Sequence, residues 1–230
     1  MKTLLQTREL SYRYPNRGMV LDKVDFQLAE GERIALVGAN GAGKTTLFHL
    51  LVGLKKAKSG EVIAFGQTRR GESQFVEVRA RAGLLFQDPD DQLFCPTVLE
   101  DVAFGPLNLG KSRDDAIAIA RRTLAELGME GFDERITHQL SGGEKRMIAL
   151  AAVLAMEPDV LLLDEPSNAL DTKARARLIE TLKRLPQAMI IISHDDDFLG
   201  HLANRWLKLE DGKLTDLYAS TPLEEVVSYG

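Results

Sequence analysis

The sequence has little of several features that would point to particular classes of protein. It contains one cysteine, Cys95, so no disulfide can form within the chain, and no second cysteine completes a metal-binding pair. Its longest apolar run, residues 147–156, is far shorter than the roughly 20 residues that a membrane-spanning helix needs. The first residues lack the basic and then apolar pattern of a signal peptide. We therefore expect a reduced cytoplasmic setting, with any work at a membrane done from its side.

A surplus of basic residues is also absent. The chain carries 29 lysines and arginines against 34 aspartates and glutamates, a formal net charge of -5. Broad nucleic-acid binding requires a basic face that neutralises phosphates, so we expect no nucleic-acid partner. The 230 residues, 44% hydrophobic and 27% charged, are ordinary for a globular protein with a sizeable core.

A glycine-rich segment at residues 38–46 carries the strongest chemical signal. It has the pattern G-x-x-x-x-G-K-T between a short apolar strand, residues 33–37, and a segment with helical leucine spacing. Glycines allow backbone N–H groups to turn towards phosphate oxygens, Lys44 can reach the β- and γ-phosphates, and Thr45 can ligate Mg²⁺. The alternative is a plain glycine-rich turn. The predicted nucleotide-binding residues of this segment are Gly38, Ala39, Asn40, Gly41, Ala42, Gly43, Lys44, Thr45 and Thr46.

A glycine pair, Gly142 and Gly143, stands shortly before the apolar run at residues 147–156. Ser141 and Glu144 have the spacing of a capping box and predict the start of a buried helix. A capped helix alone would explain both residues. It does not explain Gly142 and Gly143, which weaken helix initiation but expose two backbone N–H groups to an anion. The segment is therefore interpreted as a second phosphate-facing surface.

Two further apolar strands end in polar residues. Residues 160–164 are a continuous apolar strand followed by carboxylates, and residues 188–193 lead to His194. Such strands are typical of the middle of a parallel sheet, whose carboxyl ends hold ligands. Asp164 can hold Mg²⁺ directly or through water, and Glu165 can orient or deprotonate an attacking water.

The remaining segments predict the layers around this core. Residues 24–28 alternate apolar and polar side chains, which predicts a half-buried strand, and residues 112–128 predict an inserted helix. Tyr14 could stack on an adenine or be an ordinary core tyrosine. Leu93 and Phe94 stand among carboxylates and prolines in residues 88–98, which suggests an edge that contacts another protein, with plain surface as the alternative.

Taken together and in this order, these motifs resemble the nucleotide-binding subunit of ABC transporters, over nearly the whole chain. The resemblance implies an α/β fold: a P-loop NTPase core with a mainly parallel sheet, an N-terminal antiparallel β part and an inserted α-helical subdomain. It implies one ATPase domain over residues 1–230, with the core in 1–87 and 157–230 and the helical subdomain, which carries the signature, in 88–156.

The resemblance also implies roles for matching residues. Tyr14 would stack on the adenine of ATP, with Tyr12 as the alternative. Gln87 would sense Mg²⁺ and water, and His194 would contact the γ-phosphate. The implied catalytic residues are Glu165, His194, Gln87 and Lys44; the implied metal ligands are Thr45, Gln87 and Asp164; and the implied ATP contacts outside the loop are Tyr14, Ser141, Gly142, Gly143, Glu144 and Asp171.

In that family the active site is shared between two subunits. The resemblance implies a head-to-tail dimer, of identical or paralogous ATPases, in which Ser141 and Gly143 of one subunit close over ATP held by Lys44 of the other. Two positions depart from the family's usual pattern: Glu144 stands where many members have Gln, and Ala169 stands where Gly is usual. Ala169 puts the shape of the interface loop in question.

A finer match concerns the segments 86–94 and 100–106, together with Tyr12-Arg13-Tyr14-Pro15. They resemble the energy-coupling-factor branch, whose ATPases drive uptake of cobalt, nickel, biotin and other vitamins. This implies a peripheral protein on the cytoplasmic face of the cell membrane, bound to a transmembrane coupling protein and a substrate-binding membrane subunit through residues 88–94. The short chain favours cobalt or nickel, with a vitamin as the alternative. A non-transport ABC ATPase is disfavoured because too few residues separate Lys44 from Ser141 for a long coiled coil.

Overall fold

The computed structural model describes residues 2–217. Within this range ten strands and seven α-helices follow one another along the chain. The strands are β1 (Thr3–Tyr14), β2 (Gly18–Ala29), β3 (Arg33–Val37), β4 (Ser59–Ala64), β5 (Gln67–Arg69), β6 (Ala82–Leu85), β7 (Val160–Asp164), β8 (Ala188–Ile192), β9 (Arg205–Glu210) and β10 (Lys213–Asp216). The helices are α1 (Lys44–Leu51), α2 (Glu72–Arg81), α3 (Val98–Asn108), α4 (Arg113–Glu126), α5 (Gly142–Leu154), α6 (Thr172–Arg184) and α7 (Asp196–Gly200).

The central sheet has six strands in the order β10-β9-β3-β8-β7-β6. All neighbouring strands are parallel except β10, which pairs antiparallel with β9 across the turn at Asp211 and Gly212. The apolar strands β7 and β8 lie in its middle and are buried at every position. Because β3, β7 and β8 run in the same direction, the residues that follow them meet at one edge of the sheet.

Both faces of this sheet are covered, which explains why its strands show no alternation. Leu161 and Leu163 of β7 belong to a core shared with the helical layer. Val160 and Leu162 belong to a second core, shared with α1 and the N-terminal sheet. Side chains alternate between the two faces of a strand, so a strand covered on both sides must be apolar throughout.

A second sheet is antiparallel and has the order β2-β1-β4-β5. In β2 the side chains of Val24, Phe26 and Leu28 are buried while the residues between them are exposed, as the alternation predicts. The expected antiparallel β part is thereby confirmed, together with the mainly parallel core.

The helical layer consists of α3, α4 and α5. These helices pack on one another and occur in the sequence after β6 and before β7. Ser112 accepts a hydrogen bond from the Asp115 amide and begins α4, as predicted. The inserted helical part of the fold is confirmed. Its exact bounds, residues 88–156, stay a prediction, and the end of the predicted domain beyond residue 217 lies outside the described residues.

Two segments are more buried than their charged or polar sequence suggests. The charged stretch 69–81 runs from the end of β5 through α2 and places Phe75 and Val78 in the core. Arg69 is buried there because its guanidinium donates to the Ala64 and Gln74 carbonyls and to Glu77. Leu93, expected to be exposed beside Phe94, is also buried in the helical core.

Candidate active site

The glycine-rich loop connects β3 to α1 at the carboxyl edge of the central sheet. Gly38, Gly41 and Gly43 all have positive φ angles, at 147°, 77° and 112°. At Gly43, which precedes the first residue of α1, a Cβ would lie 2.6 Å from Val20 Cγ1, so only glycine fits. The loop therefore wraps the N-terminal end of α1, where free backbone N–H groups attract an anion.

Lys44 lies at the mouth of this loop. Its Nζ donates to the Gly38 carbonyl at 2.6 Å and to the Ala39 carbonyl at 3.2 Å. Burial lowers the pKa of Lys44, while the nearby carboxylates of Asp164 and Glu165 act in the opposite direction. The ammonium group is thus held by the loop itself, at the place where phosphates would bind.

Thr45 and Asp164 are joined by a hydrogen bond. Thr45 Oγ1 donates to Asp164 Oδ2 at 2.6 Å, which joins the start of α1 to the end of β7. Asp164 is 2% exposed, and its burial raises the pKa of its carboxyl group, although the bond from Thr45 opposes this. A buried carboxylate beside a hydroxyl provides two oxygen atoms of the kind that Mg²⁺ prefers.

Glu165 begins the loop that follows β7 and has a strained backbone, with φ at 51°. Its amide donates to the Ile192 carbonyl at 2.9 Å, which holds it beside β8. Its Oε1 is buried and accepts no hydrogen bond from any of residues 2–217. Burial raises the pKa of the Glu165 carboxyl group. An unsatisfied buried carboxylate oxygen is a site where a water molecule can donate a proton.

His194 follows β8 and faces Glu165. Its Nε2 lies 3.6 Å from Glu165 Oε1 and 2.7 Å from Asn40 Oδ1 of the glycine-rich loop. The ring therefore bridges the phosphate loop and the carboxylate, as expected for residues that share the carboxyl edge of a parallel sheet.

Tyr14 forms part of the opposite wall. Its hydroxyl lies 3.1 Å from Thr46 Oγ1, and its ring makes an edge contact with Tyr12 at 5.0 Å between centroids. Tyr14 lines the cavity around Lys44, whereas Tyr12 packs against the core of the N-terminal sheet. Of the two tyrosines left open by the sequence, Tyr14 is the one in position to meet a bound base.

These groups surround one cavity of about 920 Å³. Of the predicted site residues, those that line it are Tyr14, Asn40, Gly41, Gly43, Lys44, Thr45, Thr46, Gln87, Asp164, Glu165 and His194. The volume is at the upper end of the range for small-molecule sites. The cavity is therefore large enough for a nucleotide, and the carboxylates of Asp164 and Glu165 line it.

The signature segment lies outside this cavity. Ser141 and Glu144 form the predicted capping box: Ser141 Oγ accepts from the Glu144 amide, and Glu144 Oε2 accepts from the Ser141 amide at 2.8 Å. These hydrogen bonds from Ser141 lower the pKa of Glu144. Ser141 and Gly142 are exposed, so the start of α5 is accessible from outside the chain. The structure does not bring this segment to the Lys44 of the same chain.

Asp171 also lies outside the cavity. It caps α6 by accepting a hydrogen bond from the Ala174 amide at 2.7 Å. Ala169, two residues earlier, has φ at 62°, a left-handed conformation that favours glycine. Its carbonyl lies against Gly143, where an added Cβ would be 3.1 Å away. The loop between Glu165 and Asp171 therefore runs from the cavity to the start of α5.

Two arginines that sequence reasoning did not select hold these parts together. Arg146 is buried in α5, and its guanidinium donates to the Phe86 carbonyl at 2.8 Å and to the Gln87 carbonyl at 2.6 Å. It fixes the backbone at Gln87 from the signature helix. The one signal in the sequence is that Arg146 is the last charged residue before an apolar run.

Arg175, in the first turns of α6, joins the helix capped by Asp171 to the loop after His194. It donates to both carboxylate oxygens of Asp195, at 2.8 and 3.0 Å, and to Asp197 at 2.7 Å. These two carboxylates raise the pKa of Arg175. The run 195–197 begins α7, and two of its three carboxylates are paired with Arg175, which local sequence cannot show.

The fold and the cavity define a P-loop nucleotide-hydrolysing enzyme. A family model described as ABC transporter matches residues 21–168. The chain belongs to the ABC transporter family and is an ATPase of that family, which binds ATP.

Several known proteins similar to this chain belong to the same family. A Brucella suis protein, named as an ABC transporter ATP-binding protein, is 55% identical over 214 residues, 93% of this chain and 89% of that protein. The energy-coupling factor transporter ATP-binding protein EcfA of Methanothermobacter thermautotrophicus is 41% identical over 225 residues, 96% of this chain and 72% of that protein. The solved structure of cbiO1 from Clostridium perfringens, part of the ABC transporter complex cbiONQ, is 32% identical, with a TM-score of 0.82 over 94% of this chain and 88% of that one.

Proposed function

We propose that this ATPase is the motor subunit of a membrane importer of the energy-coupling-factor type. The observation that carries the proposal is the cavity in which Lys44, Asp164, Glu165 and His194 converge at one sheet edge. Its support beyond the site is the similarity to EcfA over 96% of the chain. Among residues 2–217, no helix is long and apolar enough to cross a membrane.

The residues of the cavity have separate tasks in hydrolysis. The glycine-rich loop and Lys44 bind the β- and γ-phosphates. Glu165 Oε1, which accepts no hydrogen bond from the described residues, accepts a proton from the water that attacks the γ-phosphorus. His194 donates to a γ-phosphate oxygen, and the Gln87 side chain orients the water. Positioning and electrostatic stabilisation supply most of the catalysis.

Mg²⁺ fits the donor atoms of this site. No group of three or more His, Cys, Asp or Glu side chains that could hold a metal occurs among the described residues. Mg²⁺ needs few protein ligands when phosphates supply the others. Thr45, Asp164 and Gln87 would hold it directly or through water. When bound, it neutralises charge that develops on the phosphates.

A second copy, or a paralogous ATPase, completes each site. Ser141 and Gly142 are exposed and Gly143 is half-buried, so a nucleotide held by another chain can approach the start of α5. In the dimer, Ser141, Gly143 and Glu144 of one subunit close over ATP on Lys44 of the other, with Asp171 at the contact. ATP binding closes this dimer and hydrolysis opens it.

The transmembrane coupling protein binds through residues 88–94 and the neighbouring apolar surface. Phe94 is 66% exposed and packs edge-on against Phe104, itself 42% exposed. Asp90 is paired with Lys145 at 2.6 Å, so Asp88 and Asp91 are the carboxylates left for a basic partner. Phe94→Ala with Phe104→Ala should weaken complex assembly, and unchanged assembly would contradict this part of the proposal.

For the cargo, we propose cobalt or nickel ions first, with biotin or another vitamin as the alternative. A substrate-binding membrane subunit would select it, and this chain would work peripherally at the cytoplasmic face of the cell membrane. A non-transport ABC ATPase is the competing function. No nucleic acid takes part, given the net charge of -5.

The test is to isolate the tagged protein from native membranes in mild detergent, identify its partners by mass spectrometry and measure the metals in the eluate. We expect a polytopic membrane protein together with bound cobalt or nickel. A vitamin-binding partner would transfer the assignment to the vitamin branch. Ribosomes or DNA-bound proteins without a membrane partner would overturn the transport function and leave the ATPase.

A further inference from the structure

A second cation lies on the glycine-rich loop besides Lys44. The guanidinium of Arg17 packs against Gly41, where an added Cβ would lie 3.2 Å from Arg17 Cζ and closer still to one of its nitrogens. Gly41 has φ at 77°, so its turn favours glycine on conformational grounds as well. The absence of a side chain at Gly41 thus gives Arg17 room to lie over the loop.

Arg17 is placed there by a turn that also places Tyr14. The Arg17 amide approaches the Tyr14 carbonyl at 3.4 Å, between the end of β1 and the start of β2. Both side chains line the cavity that contains Lys44. One short turn therefore holds an aromatic ring and a guanidinium on the same wall.

The charges around the cavity leave Arg17 available to a ligand. Within residues 2–217, Arg17 has no ion-pair partner. Lys44, by contrast, lies near the carboxylates of Asp164 and Glu165, which outnumber it. A polyphosphate adds further negative charge to the same space, so the positive charge of one lysine does not balance the negative charge of the site. Arg17, which lines the cavity, supplies a second positive group.

We propose that Arg17 binds the phosphates of ATP as a second cationic contact of this site. The inference rests on the proposed placement of the polyphosphate at Lys44. A guanidinium presents a planar fork of N–H donors that matches phosphate oxygens in a bidentate way, whereas an ammonium acts as a point charge. Arg17 would contribute to affinity for nucleotides that carry more than one phosphate, together with the loop amides.

The experiment compares the affinities of ATP, ADP and AMP for the purified full-length protein by isothermal titration calorimetry with Mg²⁺. For Arg17→Ala we expect ATP to bind on the order of tenfold more weakly, the scale of one charge-assisted hydrogen bond. AMP affinity, measured by competition, should not change. Arg13→Ala is the matched control, because Arg13 is an exposed arginine at the end of β1 that does not line the cavity. It should bind all three nucleotides as the wild type does.

Substitutions at the same position separate charge from shape. Arg17→Lys should recover part of the affinity, since it keeps the charge without the fork, and Arg17→Gln should behave as Arg17→Ala. If Arg17→Ala does not fold, the lysine and glutamine variants carry the comparison. If Arg17→Gln binds ATP as the wild type does while Lys44→Ala loses ATP binding, the role of Arg17 is wrong and the proposed site at Lys44 stands. Unchanged ATP binding in Lys44→Ala would instead show that the phosphates do not bind at Lys44, which would contradict the proposed function on which the inference rests.

Discussion

The cavity around Lys44 and the signature segment at the start of α5 differ in how their polar groups are satisfied. In the cavity, the functional side chains contact one another across the sheet edge: Thr45 bonds to Asp164, and His194 bonds to Asn40. At the start of α5, the side chain of Ser141 bonds to its own capping partner, Glu144, and Ser141 and Gly142 are exposed. The first region is organised within one chain, while the second has the geometry of a surface that acts on another molecule.

Because of this difference, substitutions in the cavity should affect the site of their own subunit, and substitutions in the signature segment should affect the site of the other subunit in the dimer. Glu165→Gln should have the largest effect. Turnover should fall by roughly 10² to 10⁴-fold, the scale for loss of a general base, because the amide cannot take the proton of water. ATP affinity and the closed dimer should stay intact, as measured by calorimetry and by size-exclusion chromatography with ATP.

Lys44→Ala is the counterpart of that variant. It should weaken ATP binding by roughly 10² to 10⁴-fold, because Lys44 can contact two phosphates and each charge-assisted bond contributes about 1.5–3 kcal/mol. The two variants thus divide catalysis from binding. An equal loss of ATP affinity in both would contradict the roles given to Glu165 and Lys44.

An experiment with mixed variant subunits tests whether the cavity acts within one chain and the signature segment acts on the other. Lys44→Ala and Ser141→Arg subunits should each be inactive alone, since one lacks the phosphate contact and the other blocks the signature surface. In a head-to-tail dimer, mixed pairs contain one site with an intact Lys44 and an intact Ser141, so hydrolysis should return in part. Steady-state ATPase assays over a range of mixing ratios measure this. No recovery, with mixed dimers demonstrated by two affinity tags, would mean that the signature does not act across subunits.

Arg175 offers a smaller perturbation within the first region. Arg175→Ala should lower kcat by about tenfold, because the loop that carries His194 loses its clamp on Asp195 and small displacements of reacting groups are costly. The affinity for ATP should not change, and Arg175→Lys should restore part of the rate.

Arg177→Ala is the matched control for Arg175. Arg177 lies on the same helix, but its guanidinium donates to the Gly128 carbonyl at 3.0 Å, away from His194. It should leave kcat unaltered. A similar loss of rate in both variants would indicate that α6 as a whole has been destabilised and that Arg175 has no specific positioning role.

The smallest expected effect concerns the loop between the two regions. Ala169→Gly should stabilise the protein by about 1 kcal/mol, since it removes the penalty of a left-handed alanine. This corresponds to a rise in Tm of about 2–4 °C by calorimetry. Ala203→Gly, at an alanine without a positive φ, is the control and should not raise Tm. A decrease for Ala169→Gly would show that Cβ contacts outweigh the backbone strain.

Local pattern accounts for the elements of the fold and for much of the cavity. The strand ends at Val37, Asp164 and Ile192 follow from apolar runs that stop at polar residues, and parallel strands must bring such ends to one edge. The capping boxes follow from side chains that reach only three residues along the chain. The outward position of the signature was expected from family resemblance, not from the residues themselves.

What the sequence determined by itself is therefore the set of short-range decisions: where strands and helices begin, which loop can cradle phosphate, and which carboxylates follow the buried strands. Only the tertiary structure decided the contacts between distant segments. Arg146 on Gln87, Arg175 on Asp195 and Arg17 on Gly41 each join residues far apart in the chain. An arginine looks the same in sequence whether water or a carbonyl satisfies its five N–H donors, because its partner is chosen by packing rather than by spacing.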